Sequence, residues 1–217
     1  MIPPSVFAFL RDLKRNNDRV WFNANKERYV AELRDPLLAF IAGFAPALAR
    51  INKRLVADPS PVGGSLFRIY RDTRFSKDKS PYKTAAGIYF GRAEGRDSPA
   101  PGFYLHVAPG DVFMGAGIWR PDPEVLKQVR DAIAGEPARW MRVRGALDDG
   151  EKLARAPRGF DPEHPLVEDL KRKQFTTSQA FSEKEASKRD FGERTAAACR
   201  AAVPLLRFLT EAVGREW

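Results

Sequence analysis

The sequence predicts an α+β fold, with an antiparallel meander over about residues 65–119 packed against N-terminal and C-terminal helices. Three observations carry this: apolar residues at helical spacing as far as Ile51, a period of two from Ser65, and helical spacing again after Asp122. Helices, then a run of strands, then helices is the order of a sheet with its helices segregated to one face.

In chain order, Val6, Phe9, Leu10 and Leu13 share one helical face, and Asn16 with Asn17 closes that helix. Trp21 and Phe22 precede Asn23, the expected N-cap of a second helix carrying Tyr29, Val30 and Leu33. Asp35-Pro36 starts a third, because proline suits the first helical position. Its apolar face is Leu37, Ile41, Phe44, Leu48 and Ile51, with a kink expected near Pro46. VADPSPVGG (56–64) reads as a loop. From Ser65, Phe67 and Ile69 face one way while Arg68, Tyr70 and Asp72 face the other. A second strand is expected over 84–92 and an exposed turn over 93–101. The stretch 102–119 then reads as a hairpin with Pro109-Gly110 at its tip. That register sets Val107 against Val112, Leu105 against Met114 and Phe103 against Ala116, an apolar face that belongs on the helices. A slip by one would bury His106 and expose the aliphatics. The opposite face carries Tyr104, His106, Phe113, Gly115, Gly117 and Trp119.

Helices resume at Asp122-Pro123, ending near Gly135, and again after Pro137 with Trp140 and Leu147. Residues 154–165 look irregular and lead to a short helix running into Lys171-Arg172-Lys173. Ser182 with Glu185 makes a capping-box pattern, and the last helix buries Phe191, Ala198, Cys199, Ala202, Leu206 and Leu209.

Composition bounds the function. A chain of 217 residues accommodates one sizeable core, so a single domain over 1–217 is expected. With 43% hydrophobic and 30% charged residues it is globular rather than disordered. Cys199 has no partner for a disulfide within the chain. The opening MIPPSVFAFLRDLK is too briefly apolar for a signal peptide or a membrane span. Both predict the cytoplasm. An excess of 37 Lys+Arg over 28 Asp+Glu, a net charge of +9, favours anionic partners: nucleic acid, acidic lipid or phosphorylated small molecules. The arginine and alanine richness of a high-GC genome accounts for such an excess equally well.

The positive charge concentrates in segment 68–84, RIYRDTRFSKDKSPYKT, where six basic residues meet Asp72 and Asp78 for a local net of +4. Arginine offers a planar fork for phosphate or carboxylate, and lysine a mobile point charge. Thr73 and Ser76 add hydroxyls, and Tyr70, Phe75 and Tyr82 are interleaved. The expected ligand-binding set is Arg68, Arg71, Arg74, Ser76, Lys77, Lys79, Tyr82 and Lys83, for a phosphorylated or otherwise anionic small ligand. The plainer reading is a hairpin tip in which Asp72 and Asp78 pair with neighbouring cations, although two carboxylates cannot neutralise six. His106 is the candidate acid or base, with Gly115 and Gly117 as a floor and Trp119 as a wall; its plainer role is one structural hydrogen bond. His164 reads as structural, no metal-ligand spacing occurs, and no cofactor is indicated. GxSxG, Walker A and GxGxxG motifs are absent. Two other functions fit the segment: a nucleic-acid module stacking bases on Tyr70, Phe75 or Tyr82, and an interaction protein docking an acidic partner.

Asn16, Asn17, Trp21 and Phe22, then FRIYRDTRFSKDKSPYKT, FYLHVAPG-x-x-F-x-GAGIWRP and RAPRGFDPEHP together resemble the family catalogued as domain of unknown function 2461. The resemblance covers nearly the whole chain. It implies that segment 68–84 is a family signature, and it implies no reaction, because the family has no established activity. Alanine at several helix positions departs from the pattern and bears on packing.

Overall fold

The computed structural model describes residues 1–74, 76–92, 100–145 and 147–217. Helix α1 (Pro4–Arg15) buries Val6, Phe7, Phe9, Leu10 and Leu13. Helix α2 (Arg19–Ala24) starts earlier than expected, because Asp18 and not Asn23 is the cap: its Oδ1 accepts the Trp21 N–H at 2.8 Å. Trp21 and Phe22 therefore lie inside that helix. Helix α3 (Lys26–Arg28) passes through a π-helical turn (Tyr29–Arg34) into α4 (Asp35–Ile51). The Asp35 N–H donates to Val30 O, five residues back, and Pro36 beside it has no N–H to donate. Helix α4 thus begins at Asp35 with Pro36 in its first turn, as expected, but a local widening joins it to the preceding helix without a break, and Pro46 stays within it.

Strands β1 (Ala86–Phe90), β2 (Gly102–Ala108), β3 (Asp111–Ile118) and β4 (Phe175–Phe181) form one antiparallel sheet in chain order. The expected register holds: Val107 opposes Val112, Leu105 opposes Met114 and Phe103 opposes Ala116. All six are buried. Gly110 supplies the positive φ, 77°, that the turn after Pro109 requires.

The strand expected from Ser65 takes a different form. Residues 55–67 follow the outer edge of β1 and its end through separate bridges, Leu55–Arg92 and Leu66–Ile88, and Tyr70 then bridges Tyr82 ahead of β1. The alternation is sound as a pairing pattern, but Phe67 is 47% exposed, which leaves Ile69 as the one large apolar side chain buried on that face among Ser65, Phe67 and Ile69. Pro81 opposite Arg71 has no N–H to return to the ladder. Strand β4 was unforeseen. Its far edge is flanked in part by residues 148–153, with Asp148 N–H donating to Thr176 O at 2.8 Å. Of the turn expected at 93–101, residues 93–99 lie outside the described residues.

After β3 come α5 (Pro123–Gly135), capped by Asp122, α6 (Pro137–Val143) and α7 (Val167–Leu170). Helix α8 (Glu183–Ala186) carries the Ser182–Glu185 capping box, and α9 (Phe191–Ala212) packs on β3. One apolar cluster joins α1, α4 and the inner sheet face; a second gathers Ile118, Val129, Ile133, Phe175 and Phe208 around Trp140. No helix among the described residues is long and apolar enough to cross a membrane.

Candidate functional site: a cleft beside the basic hairpin

Segment 69–83 closes on itself as a small hairpin. Arg71 N–H donates to Pro81 O at 2.9 Å and Lys83 N–H to Ile69 O at 2.8 Å. Just past the end of α1, Asn17 grips this hairpin at two points. Its Nδ2 donates to Tyr82 O at 3.0 Å, and its Oδ1 accepts the Tyr82 N–H at 3.1 Å. The Tyr82 ring is 3% exposed and stacks on Phe22 with centroids 4.0 Å apart. Tyr82 is thus an anchor of the hairpin, with its ring turned into the core.

Docked in this way, the hairpin, the end of α1 and the outer face of the sheet enclose a cleft of about 730 Å³. Its walls include Lys14, Arg71 and Lys83, the carboxylates of Asp72 and Asp78, and Tyr104 with His106. Of the residues expected from the sequence, Arg71, Tyr82, Lys83 and His106 line the cleft. Arg68, Arg74, Ser76, Lys77 and Lys79 lie outside its lining on the same hairpin, and Phe75 lies outside the described residues.

The acids of the loop are engaged. Asp72 accepts from Arg74 Nε at 3.0 Å and Nη2 at 2.7 Å, which holds its carboxyl at about 2. Asp78 accepts from the Ser80 hydroxyl at 2.6 Å and pairs with Arg71. The Ser80 hydroxyl first, and then Arg71, keeps it well below the usual carboxylate range. Arg71 also donates to Ser76 Oγ at 3.4 Å, and Lys79 Nζ to Thr73 O at 2.9 Å. The pairing of acids with neighbouring cations is therefore real. It leaves Lys14, Arg68, Lys77, Lys79 and Lys83 without a carboxylate in ion-pairing reach among the described residues.

His106 lies on the outer face as the register requires; its side chain is 19% exposed whereas Leu105 on the inner face is at 0%. The imidazole stacks on Phe113 with centroids 4.9 Å apart. Its Nε2 is 3.4 Å from Asp111 Oδ2 and its Nδ1 is 3.4 Å from the Tyr104 hydroxyl. Burial lowers the His106 pKa, with Asp111 acting in the opposite sense. Burial, and next Asp111, raises that of Tyr104.

The floor differs from the expected one. Gly117, at φ 131°, lies against β4, where a Cβ would come 2.0 Å from Phe175 O. Trp119 is 54% exposed and outside the cleft, with the Arg120 guanidinium 5.1 Å from its ring centroid. The glycine that matters to the cleft is Gly87, opposite His106: a Cβ there would sit 2.5 Å from the Tyr104 hydroxyl.

Sequence reasoning missed Lys14, the clamp made by Asn17, the space kept by Gly87, and Asp111. The last was within reach, because the register that pairs His106 with Phe113 makes Asp111 its diagonal neighbour. Elsewhere, Cys199 is buried and its thiol is pushed up to about 12 by burial, which suits packing rather than nucleophilic attack. His164 Nδ1 accepts the Leu166 N–H at 3.0 Å. Among the described residues, no group of three or more His, Cys, Asp or Glu is arranged to hold a metal ion.

A family described as a conserved hypothetical protein, domain of unknown function 2461, matches residues 5–208. The chain belongs to that family. All residues of the cleft, from Lys14 to His106, fall within the matched span of domain of unknown function 2461. No curated protein matches the chain.

Proposed function

We propose that the cleft beside the basic hairpin binds a small anionic ligand, of phosphorylated type. The supporting observation is the meeting of Lys14 from α1 with Arg71 and Lys83 from the hairpin on one concavity, next to Tyr104 and His106. Lys14 and Lys83 have no carboxylate within ion-pairing reach among the described residues, so an anion there gains cations that no acid neutralises. Arg71 is held by Asp78, a side chain 58% exposed, and an incoming phosphate competes with that carboxylate for the same guanidinium. The concave shape favours a small molecule over a polynucleotide, and the buried ring of Tyr82 is not free to stack on a base.

The test is a set of thermal melts and calorimetric titrations at low salt with sulfate, phosphate, a nucleotide panel, and single- and double-stranded DNA. Sulfate and phosphate are expected to raise the melting temperature of the parent protein, and Arg71→Gln to remove that response while keeping the fold. Silence toward every small anion would overturn the reading. DNA binding that weakens steeply with salt, without any response to small anions, would replace it with the nucleic-acid module.

A further inference from the structure

Lys83 is placed unlike its neighbours in the segment. Lys77 and Lys79 are exposed, whereas Lys83 is half-buried in the cleft. Its Nζ stands 5.6 Å from the Phe67 ring centroid and donates to Arg68 O at 3.0 Å. The two acids of the cleft are held by Ser80, Arg71 and Arg74, so neither stabilises this ammonium by contact. Burial first, and then the charge of Arg68, lowers the Lys83 pKa. A lysine that is desolvated and set beside another cation is the usual form of an amine nucleophile for carbonyl compounds.

We propose that Lys83 forms an imine with an aldehyde that carries a phosphate, the phosphate being held at Arg71. The proposal rests on the anion-binding reading of the same cleft. In the step, the neutral amine adds to the carbonyl carbon, its nitrogen gives up one proton and the oxygen takes one up, giving a carbinolamine. That oxygen then leaves as water, taking a second proton as the nitrogen gives up its remaining N–H, and the C=N bond remains. No oxidant or reductant is required. The Tyr104 hydroxyl, 3.4 Å from His106 Nδ1 and lining the same cleft, is the proton source for the departing oxygen.

The probe is pyridoxal 5′-phosphate, trapped on the intact protein with cyanoborohydride and located by peptide mass mapping. Lys83 is expected to be labelled several-fold faster than Lys77 or Lys79 of the same chain. Sulfate is expected to slow that labelling, and pyridoxal without its phosphate to label Lys83 more slowly. Lys83→Arg is expected to lose the label at this position while Lys77 and Lys79 keep theirs. Labelling spread evenly over the exposed lysines overturns the proposal. Binding of sulfate without selective labelling of Lys83 also overturns it and leaves the anion-binding reading standing. Selective labelling of Lys83 by pyridoxal and its phosphate alike, indifferent to sulfate, also overturns it, because it shows a reactive amine with no phosphate held beside it.

Discussion

Two hairpins of this protein are held by different physics. In β2–β3, a turn of Pro109 and Gly110 joins strands whose inner side chains, Phe103, Leu105, Val107, Val112, Met114 and Ala116, are all buried. In the basic hairpin, one bridge, Tyr70–Tyr82, and the backbone bonds on either side of it join the arms. Its loop is tied by Asp72 to Arg74 and by Asp78 to Arg71, all partly or largely exposed. Apolar burial fixes the first hairpin and makes it scaffold. Exposed charge pairs contribute little each, so the second depends on its attachment to α1 and α2 and can exchange partners. The cleft lies where the committed hairpin meets the uncommitted one.

The comparison is broken most severely at Gly117. An alanine there would need a rarely populated backbone conformation and would meet Phe175 O, so Gly117→Ala is expected to cost about 4 kcal/mol or more. Urea unfolding would measure this; a near-neutral result would mean that β3 and β4 separate freely. Next, Leu105→Ala empties a fully buried position on the scaffold, for an expected loss of about 2–5 kcal/mol. If the same experiment shows under about 1 kcal/mol, burial is not what holds this hairpin.

Asn17→Ala acts on the attachment between the two regions. It strands the N–H and C=O of Tyr82, with an expected loss of about 1–3 kcal/mol. It should also weaken any sulfate response in calorimetry, whereas Leu105→Ala should leave that response intact in the folded fraction. Equal weakening by both variants would erase the distinction between scaffold and site.

The smallest effect is expected from the exposed pairs. Asp72 has a folded pKa of about 2, below its unfolded value near 3.9, so its pairing stabilises the protein above that unfolded value and the benefit is lost as pH falls toward 2. Asp72→Asn should therefore melt slightly below the parent at pH 5, with the gap closing on acidification and shrinking in 1 M salt. A gap that persists at pH 2 would show that the carboxylate charge is not its source.

The same contrast explains what was legible in the sequence. Alternation over 102–119 gave the register because one face is apolar at every step, so a slip carries a large penalty. Alternation over 65–74 was equally regular but had little burial behind it, and it yielded bridges where a strand was expected. Strand β4 escaped notice because TTSQA between Phe175 and Phe181 is polar or small, and its pairing with β3 is remote in sequence. Asp18 and Asn23 are both capable caps, and local chemistry does not choose between them. For the cleft, the cations of one segment could be read directly. Their convergence with Lys14 and Tyr104 depends on Asn17 gripping Tyr82, a contact between distant parts of the chain.

The interrupted run along β1 has a consequence for how this protein behaves in a crowd. A sheet with a long bare rim is a template on which another chain can add a strand, and from there aggregate. Here residues 55–67 cover that rim in two short pieces separated by the proline- and glycine-rich loop 57–64, so no continuous row of backbone donors and acceptors faces outward from β1. At the opposite rim, Asp148 bonds to Thr176 near the start of β4, residues 151–153 pair with 171–173 just before it, and Ser178, Gln179 and Ala180 form a short exposed run. The irregularity that kept the first strand from being regular is therefore also protective: the run that lends Phe67 to the cleft doubles as a guard against strand addition.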